Sequence, residues 1–114
     1  MCYAWKVVAG VSAFGSYTGN AGSLTVTFSP ADTFIPRMLI IKNRDNGGGW
    51  LMYDQLRGFG TSGNTDGNSF AADTSAVEVT NQKGITVGAG TFTFNTSESS
   101  LNQNGSVFIY CAFA

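Results

Sequence analysis

The chain has 114 residues, the length of one ordinary globular domain, so we predict a single domain over residues 1–114. It is rich in glycine (15) and phenylalanine (9), whereas charged residues make up only 11%. Helices of soluble proteins usually carry charged outer faces, but strands can solvate an outer face with Thr, Ser and Asn. The composition therefore predicts an all-β fold and excludes a helical bundle.

The charge pattern excludes two classes of partner. The net charge is −1, and the six basic residues are scattered among acidic ones, so no basic surface for nucleic acid is expected. No apolar run approaches the about 18 residues that a membrane-spanning helix needs, and no signal segment opens the chain. We therefore expect no nucleic-acid partner, no membrane and no export by a secretory signal.

Alternating apolar and polar residues predict half-buried strands. In the first such strand, Leu24, Val26 and Phe28 alternate with serine and threonine. Residues 91–94 repeat the pattern with two phenylalanines, and residues 77–79 repeat it with two valines. We expect one face of each strand to enter the core and the other to meet solvent.

Two further segments, residues 38–41 and 107–113, are apolar on both faces. Such strands are covered on both sides, either in the middle of a sandwich or at a subunit contact. Glycine-rich segments separate the strands, and residues 46–49 predict a hairpin turn. Residues 58–69 form the longest polar stretch, which predicts an exposed loop.

Together these patterns predict an antiparallel β-sandwich, of the jelly-roll or lectin-like type, with eight or nine short strands. A closed barrel is the second interpretation. Residues 2–5 and 110–113 share an aromatic–cysteine–alanine pattern, so we expect the N- and C-terminal strands to be adjacent, although residues 2–5 could instead belong to a preceding unit of a tandem array. The predicted strands are 2–9, 13–18, 23–28, 37–44, 50–55, 76–80, 84–88, 91–95 and 106–113.

The cysteines and the missing histidine limit the chemistry. Cys2 and Cys111 lie near opposite ends, and we favour two buried, reduced thiols over a disulfide, which spacing alone does not exclude. The chain has no histidine, which removes the usual nucleophile–histidine pairs and the commonest transition-metal ligand. We predict no catalytic residue, no metal site and no cofactor.

Two motifs resemble catalytic or nucleotide-binding ones without their context. Residues 58–63 fit G-x-G-x-x-G, but the following polar residues cannot begin the helix that a dinucleotide site needs. Asp45 and Asp54 lie on the two arms of the predicted hairpin and could face each other as the acid pair of a glycosidase. We favour a structural interpretation, in which Asp45 caps the turn and Asp54 pairs with Arg57 or Arg44.

Aromatic residues near predicted loops are candidates for ligand binding. Trp50 and Phe59, if exposed, could stack on sugar rings. Core packing is the favoured alternative for Trp50, and the two interpretations are equal for Phe59. With polar residues that could donate or accept hydrogen bonds beside them, the candidate ligand-binding set is Trp50, Gln55, Arg57, Phe59, Asn64 and Asp66.

An ordered series of motifs runs along nearly the whole chain, beginning with AFGSYTGN at 13–20 and FIPRMLIIKNRD at 34–45. It continues with WLMYD at 50–54, Arg57-Gly58, Asn102, Gly105 and FIYCAFA at 108–114. This series resembles a domain of tail-fibre and other virion proteins of tailed bacteriophages, many of them marine or environmental. Thr33 departs from the family's usual glycine, and residues 59–82 match little, in a region where the family varies.

The resemblance implies a non-enzymatic virion protein on the exterior of the particle, assembled in the cytoplasm of a bacterial host. The expected function is that of a tail-fibre or receptor-binding domain. Its expected partners are other virion proteins, further copies of itself in a trimer, and a host-surface glycan. One alternative is a capsid decoration protein at the head surface, and another is a small carbohydrate-binding or carbohydrate-active protein.

Overall fold

In the computed structural model, the chain forms two antiparallel β-sheets that face each other across one core. The structure describes residues 2, 4–59, 66–83 and 85–114, without the side chains at 66–67 and 81–83. The predicted all-β sandwich is confirmed. The strands of the described residues are β1 (Ser12–Thr18), β2 (Ser23–Thr27), β3 (Met38–Asn43), β4 (Leu51–Asp54), β5 (Asp66–Ala71), β6 (Val79–Lys83), β7 (Ile85–Gly88), β8 (Thr91–Asn95) and β9 (Val107–Phe113).

The larger sheet has the strand order β1-β9-β3-β4-β5-β6, and the smaller sheet has the order β2-β8-β7. A 3₁₀ turn (Gln55–Arg57) follows β4, and a short helix α1 (Ser99–Asn102) precedes β9. β1 pairs with β9 along its whole length, from Ser12 opposite Phe113 to Thr18 opposite Val107. The N- and C-terminal strands are therefore adjacent, as predicted, although the N-terminal one is β1 and not the expected strand that contains residues 2–5.

Aromatic side chains from both sheets fill the core. Phe108 and Tyr110 point inward from β9, and Phe92 and Phe94 point inward from β8. The rings of Phe92 and Tyr110 lie 5.1 Å apart, edge to face, while Tyr17 of β1 stacks on Phe108 at 5.0 Å. Burial of such large rings is the main favourable contribution to folding in a domain of this size.

The segment before β1 differs from the prediction. Residues 4–7 lie outside any strand, and Val8 forms only an isolated bridge with Ser12, across a turn in which Gly10 has a φ of +74°. Trp5 instead crosses to the outer face of the larger sheet, where its ring contacts Phe14 and Phe113. The apolar pattern of residues 2–9 thus comes from a ring packed on a sheet face, and the predicted strand 2–9 is wrong.

The region between β4 and β7 also differs. β5 begins inside the predicted loop 58–69, because pairing with β4 (Met52 opposite Phe70) and with β6 imposes an extended conformation on a polar, glycine-containing segment. Val77 and Val79, which alternation placed in the core, are 84% and 44% exposed. The second of them begins β6, which lies at the edge of the larger sheet.

Asn102 is the centre of a buried polar junction that joins α1 to the loop after β1. Its side chain is fully buried, and its Nδ2 donates to the carbonyl oxygens of Gly22 and Thr96, each at 2.8 Å. Its Oδ1 accepts from the backbone N–H of Asn20 at 2.9 Å. A buried amide costs little free energy only when its donors and acceptors are satisfied, so this residue fixes the loop against the helix.

The motif residues beside Asn102 have structural roles as well. The Tyr17 hydroxyl donates to the carbonyl oxygen of Leu101 at 2.7 Å. Gly19 passes so close to α1 that a Cβ atom there would lie 2.2 Å from the carbonyl oxygen of Gln103. The opening SYTGN motif and the later Asn102 and Gly105 therefore belong to one packing unit, since the Gly105 N–H donates to the Gly19 carbonyl at 2.9 Å.

This close approach makes Gly19 intolerant of any side chain. We expect Gly19→Ala to lower the free energy of unfolding by about 2 kcal/mol or more, because backbone on both sides must move to relieve the overlap. Urea unfolding followed by tryptophan fluorescence measures the change. Gly47→Ala is the matched control, because nothing lies within 4 Å of a Cβ at that position, and equal stability of the two variants would contradict the assigned packing.

Candidate functional site

The outer face of the larger sheet carries an apolar row that crosses five neighbouring strands. The strand registers place Phe14 opposite Cys111, Cys111 opposite Ile40, Ile40 opposite Met52, and Met52 opposite Phe70. Side chains at paired positions point to the same side of a sheet. We call this row, with its apolar neighbours Trp5, Met38, Trp50, Ala72, Ile109 and Phe113, the contact face.

A groove runs through the contact face between two tryptophans. Trp5, which is 61% exposed, packs against Phe14 and Phe113 on one side. Trp50, which is 38% exposed, lies on the other side, just before β4. The groove has a volume of about 580 Å³ and is lined by Trp5, Ile40, Trp50, Ala72, Ile109 and Cys111.

The two-sided apolar strands explain why this face exists. In β3, Leu39 and Ile41 are fully buried in the core, while Ile40 between them points to the groove. In β9 the residues alternate in the same way over its whole length. Sequence reasoning predicted cover on both sides for residues 38–41 and 107–113, and in the structure the outer side is only partly buried by the described residues. The pattern of residues 38–41 and 107–113 was the available signal for the contact face.

Two cations beside the contact face, Arg57 and Lys42, have partners within the chain. Arg57 forms ion pairs with Asp54 and with Glu78, the latter at 3.2 Å from Nε, and its guanidinium carbon lies 4.2 Å from the centre of the Phe70 ring. Lys42 Nζ donates to the Gly48 carbonyl at 2.6 Å. The predicted pairing of Asp54 with Arg57 is confirmed. Both cations beside the contact face therefore interact with groups of the same chain.

The two aspartates considered as an acid pair lie far apart. Asp54 is opposite Met38 in the register, whereas Asp45 comes seven residues after Met38, beyond the other end of β3. At about 3.3 Å per residue this separates them by roughly 20 Å, so the suggestion that they face each other is wrong. Asp45 instead accepts from the Val107 N–H at 2.8 Å and from Arg44 Nε at 2.9 Å.

The predicted ligand-binding residues do not form one site. Trp50 precedes β4, whereas Gln55 and Arg57 follow it in the 3₁₀ turn, about 15 Å away by strand length. Asp66 begins β5, and Asn64 lies outside the described residues. The two aromatic candidates differ in exposure: Trp50 is partly exposed beside the groove, whereas Phe59 is buried.

Phe59 is 2% exposed and lies against Tyr53, with ring centroids 6.0 Å apart. The preceding Gly58 adopts a left-handed φ of +87°, which ends the 3₁₀ turn. This conformation suits glycine and here brings the next ring into the core. The role of Phe59 as an exposed stacking residue is therefore wrong, and its core interpretation is correct.

The cysteines are both free, and no disulfide joins them. Cys2 is exposed, so the expectation of two buried thiols is wrong for this residue, while Cys111 is half-buried in the groove. Burial raises the pKa of the Cys111 thiol, which keeps it in the neutral form.

Among the described residues, no three Cys, Asp or Glu side chains come together as metal ligands. None of the described helices has the length and apolar character to cross a membrane.

The contacts of Asp45 predict a pH dependence of stability. The Val107 N–H, and secondly the Arg44 side chain, hold the pKa of Asp45 below its ordinary value of 3.8. The ionised carboxylate therefore contributes stability above pH 3.8, and the contribution is lost as the pH falls through the lower folded pKa. We expect Asp45→Asn to have a lower urea midpoint than the wild type at pH 7, with the gap narrowing as the pH falls below 3.8. A gap that stays constant with pH would contradict this assignment.

Comparison with known proteins gives one match. No curated protein and no solved structure matches the chain. The profile of one family, described as a domain of unknown function (DUF7483), matches residues 1–114. Because this match covers all 114 residues of the sequence, the chain belongs to the DUF7483 family.

Proposed function

We propose that this chain is a structural protein of a bacteriophage virion, located on the exterior of the particle and acting by contact without catalysis. The observation that carries the proposal is the contact face, an apolar surface across five strands of the larger sheet. The motif series along the chain supports the phage setting by its resemblance to tail-fibre and virion domains. A tail-fibre or receptor-binding domain is the first placement, and a capsid decoration protein is the second.

The composition of the contact face supports a protein partner over a sugar. Sugar sites combine an aromatic ring with several hydrogen-bonding groups around it, because a sugar presents hydroxyls along its edges. The groove beside Trp50 is instead lined by aliphatic and aromatic residues and one neutral thiol. Arg57, expected as a polar companion of Trp50, lies beyond the other end of β4 and is paired with Asp54 and Glu78. Contact with protein surfaces is therefore the main role that we propose, and glycan binding is secondary.

Enzyme activity receives no support from the acid pair that suggested it. A glycosidase needs two carboxyl groups within about 10 Å of each other, on either side of the bond to be cleaved. Asp45 and Asp54 exceed this separation, and each has its own partner within the fold. We therefore propose a binding and assembly role for this chain and no hydrolytic one.

Locating the chain on particles tests the proposal. Purified particles of the phage that encodes the chain would be labelled with gold-conjugated antibody against it and imaged by electron microscopy. We expect label on the particle exterior, at the fibres for the first placement or at the head for the second. Antibody pre-absorbed with the purified chain is the control. Particles that carry no label, from lysates in which the chain is abundant, would overturn the proposal.

A further inference from the structure

The size of the contact face limits what can cover it. Five strands spaced about 4.8 Å apart give a width of about 24 Å, and the outward residues from Ile109 to Phe113 of β9 give a length of about 20 Å with their side chains. The face thus measures about 500 Å², within the range of about 300–600 Å² for the largest apolar patch of a typical monomeric protein, and such patches are often functional. It is large enough for a protein surface and wider than a single bound peptide strand.

The charges beside the contact face favour a partner whose contacting surface is uncharged. The cationic groups of Lys42 and Arg57 are engaged within the chain, and the central row from Phe14 to Phe70 consists of apolar side chains. A partner that placed charged groups on this central row would bury them there without a counter-charge, which weakens association. The matching surface must therefore be apolar and neutral, as the contact face itself is.

The contact face has both a groove and projecting side chains beside it, the two features that a self-complementary surface needs. Trp5 and Trp50 stand on opposite sides of the groove, and Ile40, Ile109 and Cys111 form its floor. When two copies meet about a two-fold axis, each surface patch contacts the same patch of the other copy. A ridge beside a groove satisfies this condition, because the tryptophans of one copy can enter the groove of the other.

From size, charge and shape we infer that the contact face binds the contact face of a second copy of this chain, in a two-fold dimer whose axis passes near Ile40 and Cys111. Two faces of about 500 Å² bury about 1,000 Å² in total, the lower limit of specific interfaces. The dimer therefore dissociates on dilution and is favoured where copies are concentrated. This inference rests on the contact face of the proposed function and names its partner.

Matched charge insertions on the two sheets test the dimer. Ile40→Glu places a carboxylate on the central row of the contact face, whereas Thr93→Glu places one on the outer face of β8, the middle strand of the smaller sheet. Sedimentation velocity over a concentration series measures the association of the wild type and both variants. We expect the wild type and Thr93→Glu to dimerise alike and Ile40→Glu to dimerise about tenfold or more weakly, because it buries an unpaired charge.

A second measurement does not depend on that substitution. In a Cys2→Ser background, Cys111 is the remaining cysteine, and its thiol lines the groove. We expect its rate of labelling by a maleimide to fall as protein concentration rises through the dimerisation range. Circular dichroism and the urea midpoint of each variant show whether it is folded.

Several results would overturn the inference. They are a wild-type chain that stays monomeric at all concentrations, an Ile40→Glu variant that associates normally, a mass of three chains, or a labelling rate independent of concentration. The outcome is separate from that of the proposed function. A chain that is monomeric in solution but present on phage particles would contradict the dimer and leave the proposed function standing. A chain that dimerises but is missing from the particles would contradict the proposed function and leave the dimer standing.

Discussion

Strand β9 is paired with β1 on one side and with β3 on the other, and this double pairing determines which of its side chains face the core and which face outward. Because side chains alternate along a strand, β9 places Phe108, Tyr110 and Ala112 in the core. The residues between them, Ile109 and Cys111, line the groove on the opposite side. A shift of the register by one residue would exchange the two sets, so the aromatic core and the contact face are fixed by the same hydrogen bonds.

Much of the fold was predictable, because most strands are defined by local patterns. β2 and β8 alternate threonine with apolar residues, β3 begins with four apolar residues, and β9 is apolar throughout, so all four were located to within two residues. β5 was not predictable, because its polar segment becomes extended through pairing with β4 and β6. Residues 4–7 were wrongly predicted as part of a strand. Trp5 gives them an apolar pattern, but its ring packs on the side chains of Phe14 and Phe113 and the segment itself is not a strand.

The candidate site was less predictable than the fold. Sequence reasoning favoured core packing for Trp50, which is 38% exposed in the structure, so that preference is wrong. It also grouped Trp50 with Gln55 and Arg57, which are close in the chain but separated in space by the length of β4. It left Phe59 equally open between an exposed and a buried position, and the left-handed Gly58 before it brings the ring into the core. The contact face joins residues from β1, β3, β4, β5 and β9, and only the strand order brings them together.

The Asn102 junction and the β1–β9 pair join segments about 80 to 100 residues apart. Contacts of such long sequence separation form slowly, because a large loop of chain must be closed before they are made. β9 follows β1 and β3 in the chain, so these two strands lack the partner between them until residues 107–113 have been synthesised. Until β9 joins them, their apolar side chains and unpaired edges are exposed to aggregation.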